Sequence, residues 1–186
     1  KGASSVIGNR AFSRSPEIVS QLSLQACKGL LSENVFPIIK HIPGHGRAKV
    51  DSHFYLPTIK SSKKVLQEDF YPFIKLNKQP FAMIAHIKYI SLDKEKCATY
   101  SKSIINFIKN KLGFEGILFS DDLCMKALKG SFINRARNAI SAGCDIVLHC
   151  EPNISNAIKS CDGAGYASKM LMKKIKGLKT LINTLP

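Results

Sequence analysis

A chain of 186 residues with 45% hydrophobic content can bury one sizeable core but not two. No apolar run approaches the roughly 20 residues that crossing a bilayer requires, so no membrane partner is expected. The net charge of +15 raises a nucleic-acid partner, yet the excess is mostly Lys scattered along helical stretches, as at Lys102, Lys109 and Lys111 or Lys173, Lys174 and Lys176. With no aromatic-rich basic motif beside it, that charge reads as a solvated surface, and no nucleic acid is expected.

In chain order, Ser15-Pro16-Glu17 supplies an N-cap, a Pro at the first helical position and an acid in the first turn. Ile18, Val19, Leu22, Leu24, Ala26, Leu30 and Leu31 then recur at near-helical spacing. Residues 35–39 form a short apolar run typical of a strand buried on both faces, with Pro37 an awkward member because it cannot donate a ladder hydrogen bond. Directly after it come Lys40-His41-Ile42-Pro43-Gly44-His45-Gly46 and Asp51-Ser52-His53. Three histidines, a lysine and a carboxylate around a stiff Gly/Pro turn suit the end of a strand opening into a functional loop.

The pattern then repeats. A helix over 63–76, interrupted near Pro72, precedes a strand over 81–87. A helix from near Ser101 stops at Gly113, and strand 116–120 follows. Helix 133–142, strand 145–149 and a last helix over 167–182 complete the chain. Helix alternating with short apolar strand predicts a parallel α/β architecture. Without linkers or low-complexity tracts, residues 1–186 read as one domain. The six cysteines (Cys27, Cys97, Cys124, Cys144, Cys150, Cys161) make no C-x-x-C pair and no dense framework, which favours reduced thiols in a cytosol. The opening residues 1–5 hold neither Met nor an apolar signal core.

The sequence KHIPGHG at 40–46 with DSHFYLP at 51–57 resembles the KH(F)PGHG…DSHxxLP signature of bacterial family-3 glycoside hydrolases, specifically the β-N-acetylglucosaminidases of cell-wall recycling; Ile42 replaces the usual Phe. VIGNRAFS at 6–13 resembles the family's I-G-x-R-x-F segment, and FSDDLCM at 119–125 its F-S-D-D-L-S-M segment. MIAHI at 83–87 and AGCD at 142–145 fall in the expected order, so the resemblance runs from about residue 6 to about residue 150. It implies a (β/α)8 TIM-type barrel. Such a barrel has eight strands and runs to about 250 residues, whereas four core strands are legible here. The expectation is an incomplete barrel whose front is missing, because the family's early Asp-x-Glu-Gly-Gly segment has no counterpart.

Glycoside hydrolysis with retention needs a nucleophilic carboxylate and a proton donor. Asp121 follows the apolar strand 117–120, at the end where parallel barrels place catalytic groups. The resemblance selects it as nucleophile over Asp122. Pleat alternation turns the two carboxylates to opposite sides, and Asp122 is expected to N-cap the next helix. The resemblance further implies a His as proton donor, oriented by an Asp two residues earlier, which Asp51-Ser52-His53 fits. A His titrates near neutral pH, and an Asp on one ring nitrogen fixes its tautomer. Lys40, His41 and Arg10 are implied to bind the hydroxyls of N-acetylglucosamine. His45 is expected to brace the turn, and His86 either to support the site or to be structural. Met125 is a packing filler near the nucleophile, and Cys124, standing where the family has Ser, a buried inert thiol.

These readings point to a retaining exo-β-N-acetylglucosaminidase acting on muropeptides in the cytoplasm, a monomer without cofactor or metal. Two alternatives stay open. One is a metal-dependent α/β-barrel hydrolase with His41, His45, Asp51, His53 and Asp121 as ligands, although H-x-x-x-H with Pro and Gly between cannot be a helical pair. The other is a truncated, non-catalytic remnant, which an exposed sheet edge would favour.

Overall fold

The computed structural model describes residues 8–182; Val6 and Ile7, in the segment that carries Arg10, lie outside them. Short-range polar caps start the helices. Ser15 opens α1 (Pro16–Ser32), Ser62 opens α2 (Lys63–Lys75), Ser101 opens α3 (Lys102–Asn110) and Ser131 opens α4 (Phe132–Ala142). Each hydroxyl accepts the N–H three residues on, satisfying a donor that the first helical turn leaves without a partner. Asn153 does the same for α5 (Ile154–Ala164), and α6 (Lys169–Ile182) follows.

Between the helices run β1 (Ile38–Ile42), β3 (Phe81–Ile84), β5 (Ile117–Asp122) and β6 (Ile146–Leu148), all parallel in the order β1-β3-β5-β6. A separate short parallel ribbon joins β2 (Thr58–Ile59) to β4 (Lys88–Tyr89). One face of the main sheet is the core: Ile39, Ile42, Ala82, Ile84 and Leu118 pack with Leu66 and Phe70 of α2 and Ile104, Ile105 and Ile108 of α3. On the other face an edge-to-face aromatic ladder runs Phe36–Phe81–Phe119, with ring centroids 5.4 Å apart at each step. Asp145 stitches β5 to the helical layer, since its carboxylate accepts the Leu118 N–H at 2.9 Å and meets the Lys174 ammonium at 3.3 Å. Four parallel strands backed by helices on one side form an arc of a (β/α)8-type barrel, with one edge of β1 and one of β6 unpaired among the described residues. Among the described residues, no helix is long and apolar enough to cross a membrane.

Several boundaries differ from expectation for local reasons. The first strand begins at Ile38, just past Pro37, so the ladder never has to accommodate the missing N–H. It extends instead through Lys40 and His41. Helix α2 is not interrupted: it runs through Pro72, and the Leu76 N–H returns to the Pro72 carbonyl at 3.0 Å to close the last turn. The third strand ends at Ile84 rather than 87, and β5 carries on through both aspartates. Helix α5 has no counterpart among the expected elements. Its Ile154 and Ile158 are exposed, and Gly163 lies so close to α4 that a Cβ there would stand 2.1 Å from the Ile133 carbonyl oxygen. A small-residue contact of this kind leaves no apolar stripe to read.

Candidate active site

The turn after β1 is clamped from three sides. Gly44 N–H donates to the His41 carbonyl at 2.9 Å and Ala48 N–H to that of His45 at 3.0 Å. The buried Tyr89 hydroxyl donates to the Gly44 carbonyl at 2.6 Å. Gly44 itself has φ +144 and sits against α2, where a Cβ would fall 2.7 Å from that of Asp69, so only glycine suits this position. Arg47 then ties the far end of the turn to Asp69 and Glu68 of α2. The peptide bonds Lys40–His41 and Ile42–Pro43 are cis.

This clamp presents His41 to the end of β5. Its Nε2 lies 3.5 Å from Asp121 Oδ2, and both side chains are largely buried. The other oxygen of Asp121 accepts the Asp122 N–H at 2.8 Å. Burial pulls the His41 imidazole down to about 4, although the Asp121 carboxylate pulls the other way, so at neutral pH the ring is uncharged. The contact is therefore a long polar one between a neutral ring and a carboxylate rather than an ion pair. His45 packs its ring 5.2 Å from that of His41 and is likewise lowered by burial.

His86, buried at the end of β3, bridges two elements. Its Nε2 lies 3.0 Å from the Asp122 carbonyl and its Nδ1 2.6 Å from the Thr99 hydroxyl. A carbonyl only accepts, so Nε2 carries the proton, and Thr99 donates to Nδ1 of a neutral ring whose basicity burial lowers. His86 thus supports the backbone that follows Asp121.

Asp51 and His53 form a second pair. The Asp51 carboxylate accepts both the backbone N–H of His53 at 2.8 Å and the His53 Nδ1–H at 2.7 Å. Burial raises the Asp51 carboxyl, but the His53 amide and ring outweigh it and hold it below its usual value. The imidazole is more than half exposed. Its loop is not adrift: the Lys126 N–H donates to the His53 carbonyl at 3.1 Å, tying it to the segment that follows Asp121. The Lys126 ammonium also lies 5.5 Å from the ring centre of exposed Phe54.

The candidates thus resolve into two pairs, His41–Asp121 and Asp51–His53, on neighbouring segments. Lys40 is exposed on β1, and Arg10 closes an exposed 3-10 turn (Gly8–Arg10) ahead of α1. The five ligands of the metal-dependent reading do not gather around one point; among the described residues, the cluster with metal-ligand spacing is Cys124, His149 and Glu151. Two expectations are corrected. Asp122 caps no helix, since Ser131 caps α4; its Oδ1 accepts the N–H groups of Cys124 and Cys150, both at 3.0 Å, and so joins the loops after β5 and β6. Cys124 is only half-buried and stands 3.5 Å from His149 Nδ1. The sequence reading missed the clamp of Tyr89, Arg47 and Asp69, whose members lie twenty or more residues apart with no local signal to connect them.

The chain matches the model of the glycosyl hydrolase family 3 N terminal domain over residues 1–184. It is 39% identical over 153 residues to a beta-hexosaminidase of Thioalkalivibrio sulfidiphilus, covering 80% of this chain and 44% of that protein. A beta-hexosaminidase of Nitrosomonas eutropha is 38% identical, over 79% of this chain and 44% of its own. Among solved structures, NagZ from Neisseria gonorrhoeae in complex with N-trifluoroacetyl-D-glucosamine superposes with a TM-score of 0.73 at 31% identity, covering 99% of this chain and 60% of that one. A family 3 beta-N-acetylglucosaminidase from Paenibacillus gives 0.85 at 27% identity, covering 97% and 37%. The chain therefore spans less than half the length of these curated relatives.

Proposed function

Because the chain belongs to the glycosyl hydrolase family 3 N terminal domain family, we propose that residues 1–186 act as one domain in a retaining exo-β-N-acetylglucosaminidase. The substrates are N-acetylglucosaminyl muropeptides in the cytoplasm, and the protein is a monomer without metal or cofactor. The observation that carries this reading is the Asp51–His53 pair, on a loop hydrogen-bonded to the segment after Asp121.

In the first step the Asp121 carboxylate attacks the anomeric carbon while the glycosidic bond breaks and His53 hands its proton to the departing oxygen. In the second, His53 takes a proton from water, the water oxygen bonds to the anomeric carbon, and Asp121 leaves as carboxylate. Asp51, kept ionised, holds the His53 tautomer and supports the imidazolium. Neutral His41, with Lys40 and Arg10, grips the sugar hydroxyls; an uncharged ring beside Asp121 leaves the carboxylate nucleophilic where a cation would damp it.

The test is incubation with a fluorinated, activated N-acetylglucosaminide that accumulates the glycosyl-enzyme, followed by intact mass measurement and peptide mapping. An adduct on Asp121 is expected. An adduct on another residue, or none on protein shown to be folded, overturns the reading.

A further inference from the structure

At the rim formed by the loops after β5 and β6, a group of donor atoms meets that the proposed chemistry does not use. The Cys124 thiol sulfur, a ring nitrogen of His149 and a carboxylate oxygen of Glu151 all lie within 4.8 Å of one another. The separation of Cys124 Sγ from His149 Nδ1 is 3.5 Å. A tetrahedral ion bound at about 2.3 Å from sulfur and about 2.0 Å from nitrogen sets those two atoms about 3.5 Å apart, so the pair already stands at ligand spacing.

Each member is held by something else. The His149 ring lies edge-on to Phe132, with centroids 5.0 Å apart, and the Ser160 hydroxyl sits 3.0 Å from Nδ1. Its Nε2 is buried with no hydrogen-bond partner among the described residues, so packing rather than a complete hydrogen-bond set orients the imidazole. Asn156 donates to both oxygens of Glu151, at 3.3 and 3.2 Å. The N–H groups of Cys124 and Cys150 share Asp122 Oδ1, which fixes the two loops against each other.

We propose that Cys124, His149 and Glu151 form a binding site for a borderline-soft divalent cation, zinc above all. Thiolate and imidazole select against magnesium and calcium, which prefer all-oxygen shells. Glu151 is the most exposed of the three, so the fourth position faces solvent and takes a water. On binding, the thiol proton goes to solvent and the Nδ1 lone pair turns from Ser160 to the ion. The bound ion bridges the loops after β5 and β6 beside the segment that carries Asp121. The site is separate from the His41, Asp51, His53 and Asp121 groups and does not depend on the activity proposed for them.

Cobalt(II), titrated into the full chain, is the probe, because a thiolate ligand gives a sulfur-to-cobalt charge-transfer absorption that His and carboxylate ligands cannot. One equivalent is expected to raise that band, and zinc to remove it. Cys124→Ser should abolish it. His149→Gln should weaken cobalt binding more than the roughly 10–100-fold that loss of a merely supporting partner costs. Cys150→Ser, Cys161→Ser and His53→Ala should leave band and affinity in place, with circular dichroism showing each variant folded. Absence of the band in the folded wild-type chain overturns the site, as does a band that survives Cys124→Ser.

Discussion

Three histidines crowd Asp121 and its neighbour: His41 from the end of β1, His45 from the turn after it, and His86 from the end of β3. Burial holds all three below the ordinary value, His41 at about 4 against 6.5. The folded chain keeps them neutral at pH values where the unfolded chain would protonate them. As pH falls from 6.5 toward 4, the unfolded state therefore binds more protons, and stability is lost across that window; above 6.5 these groups contribute no slope. For His41 the full loss is about 3 kcal/mol. Urea unfolding at pH 7 and pH 4.5 should show a steep decline in the wild type and a shallower one in His41→Asn. Asp51 acts in the same direction but in a lower window: its stabilisation is complete above 3.8 and lost only as pH falls below that. In catalysis, His53→Ala should lower kcat by about 10²–10⁴-fold on substrates with poor leaving groups. Aryl glycosides, whose leaving oxygen needs little protonation, should suffer less, and a comparison of the two substrate classes checks it. At this scale the sequence was most informative where residues are neighbours in the chain. Asp51 and His53 were legible through the family resemblance, and two positions of spacing suffice to close their hydrogen bond. Arg47 with Asp69, and Cys124 with His149, meet only because separate elements bring them together.

Elements were legible where their signals are short-range. The Ser15 cap and the Pro at the start of α1 act within a few residues, and the helix they announce is present. Strand ends were less so, because a ladder stops where its partner does, and β3 loses its pairing at Ile84 whatever apolar residues follow. Helix α5 was illegible because its contact with α4 is built from absent side chains. Gly163→Ala should accordingly force the two helices apart and cost about 1–3 kcal/mol, as overpacking does, measurable by chemical denaturation. Ser101→Ala removes a buried cap that accepts the Ile104 N–H at 3.1 Å and donates to Asp93 at 2.6 Å. It should cost about 1–2 kcal/mol, with the largest loss of amide protection in the first turn of α3.

For the whole molecule, the alternation of helix and strand was enough to place the chain among parallel α/β folds, and the sheet order follows from it. Less legible is how the molecule behaves with one edge of β1 and one of β6 unpaired among the described residues, and with Ile38 at the first of these 37% exposed. Open strand edges invite pairing with another copy, while a net charge of +15 on every copy opposes it. The balance depends on screening. At low salt the chain should run as a monomer on gel filtration. Near 1 M salt, where the screening length shrinks to about 3 Å, larger species should appear, and Ile38→Lys should reduce them. If the elution volume does not change with salt, charge is not what keeps these edges apart.

The hydrogen bond from the Lys126 N–H to the His53 carbonyl joins main chain to main chain. No exchange of side chain at either position removes the donor, except Lys126→Pro. Position 126 can therefore drift freely through a lineage while the join between the two loops is passed on intact. A library randomised at 126 should recover nearly every residue but one.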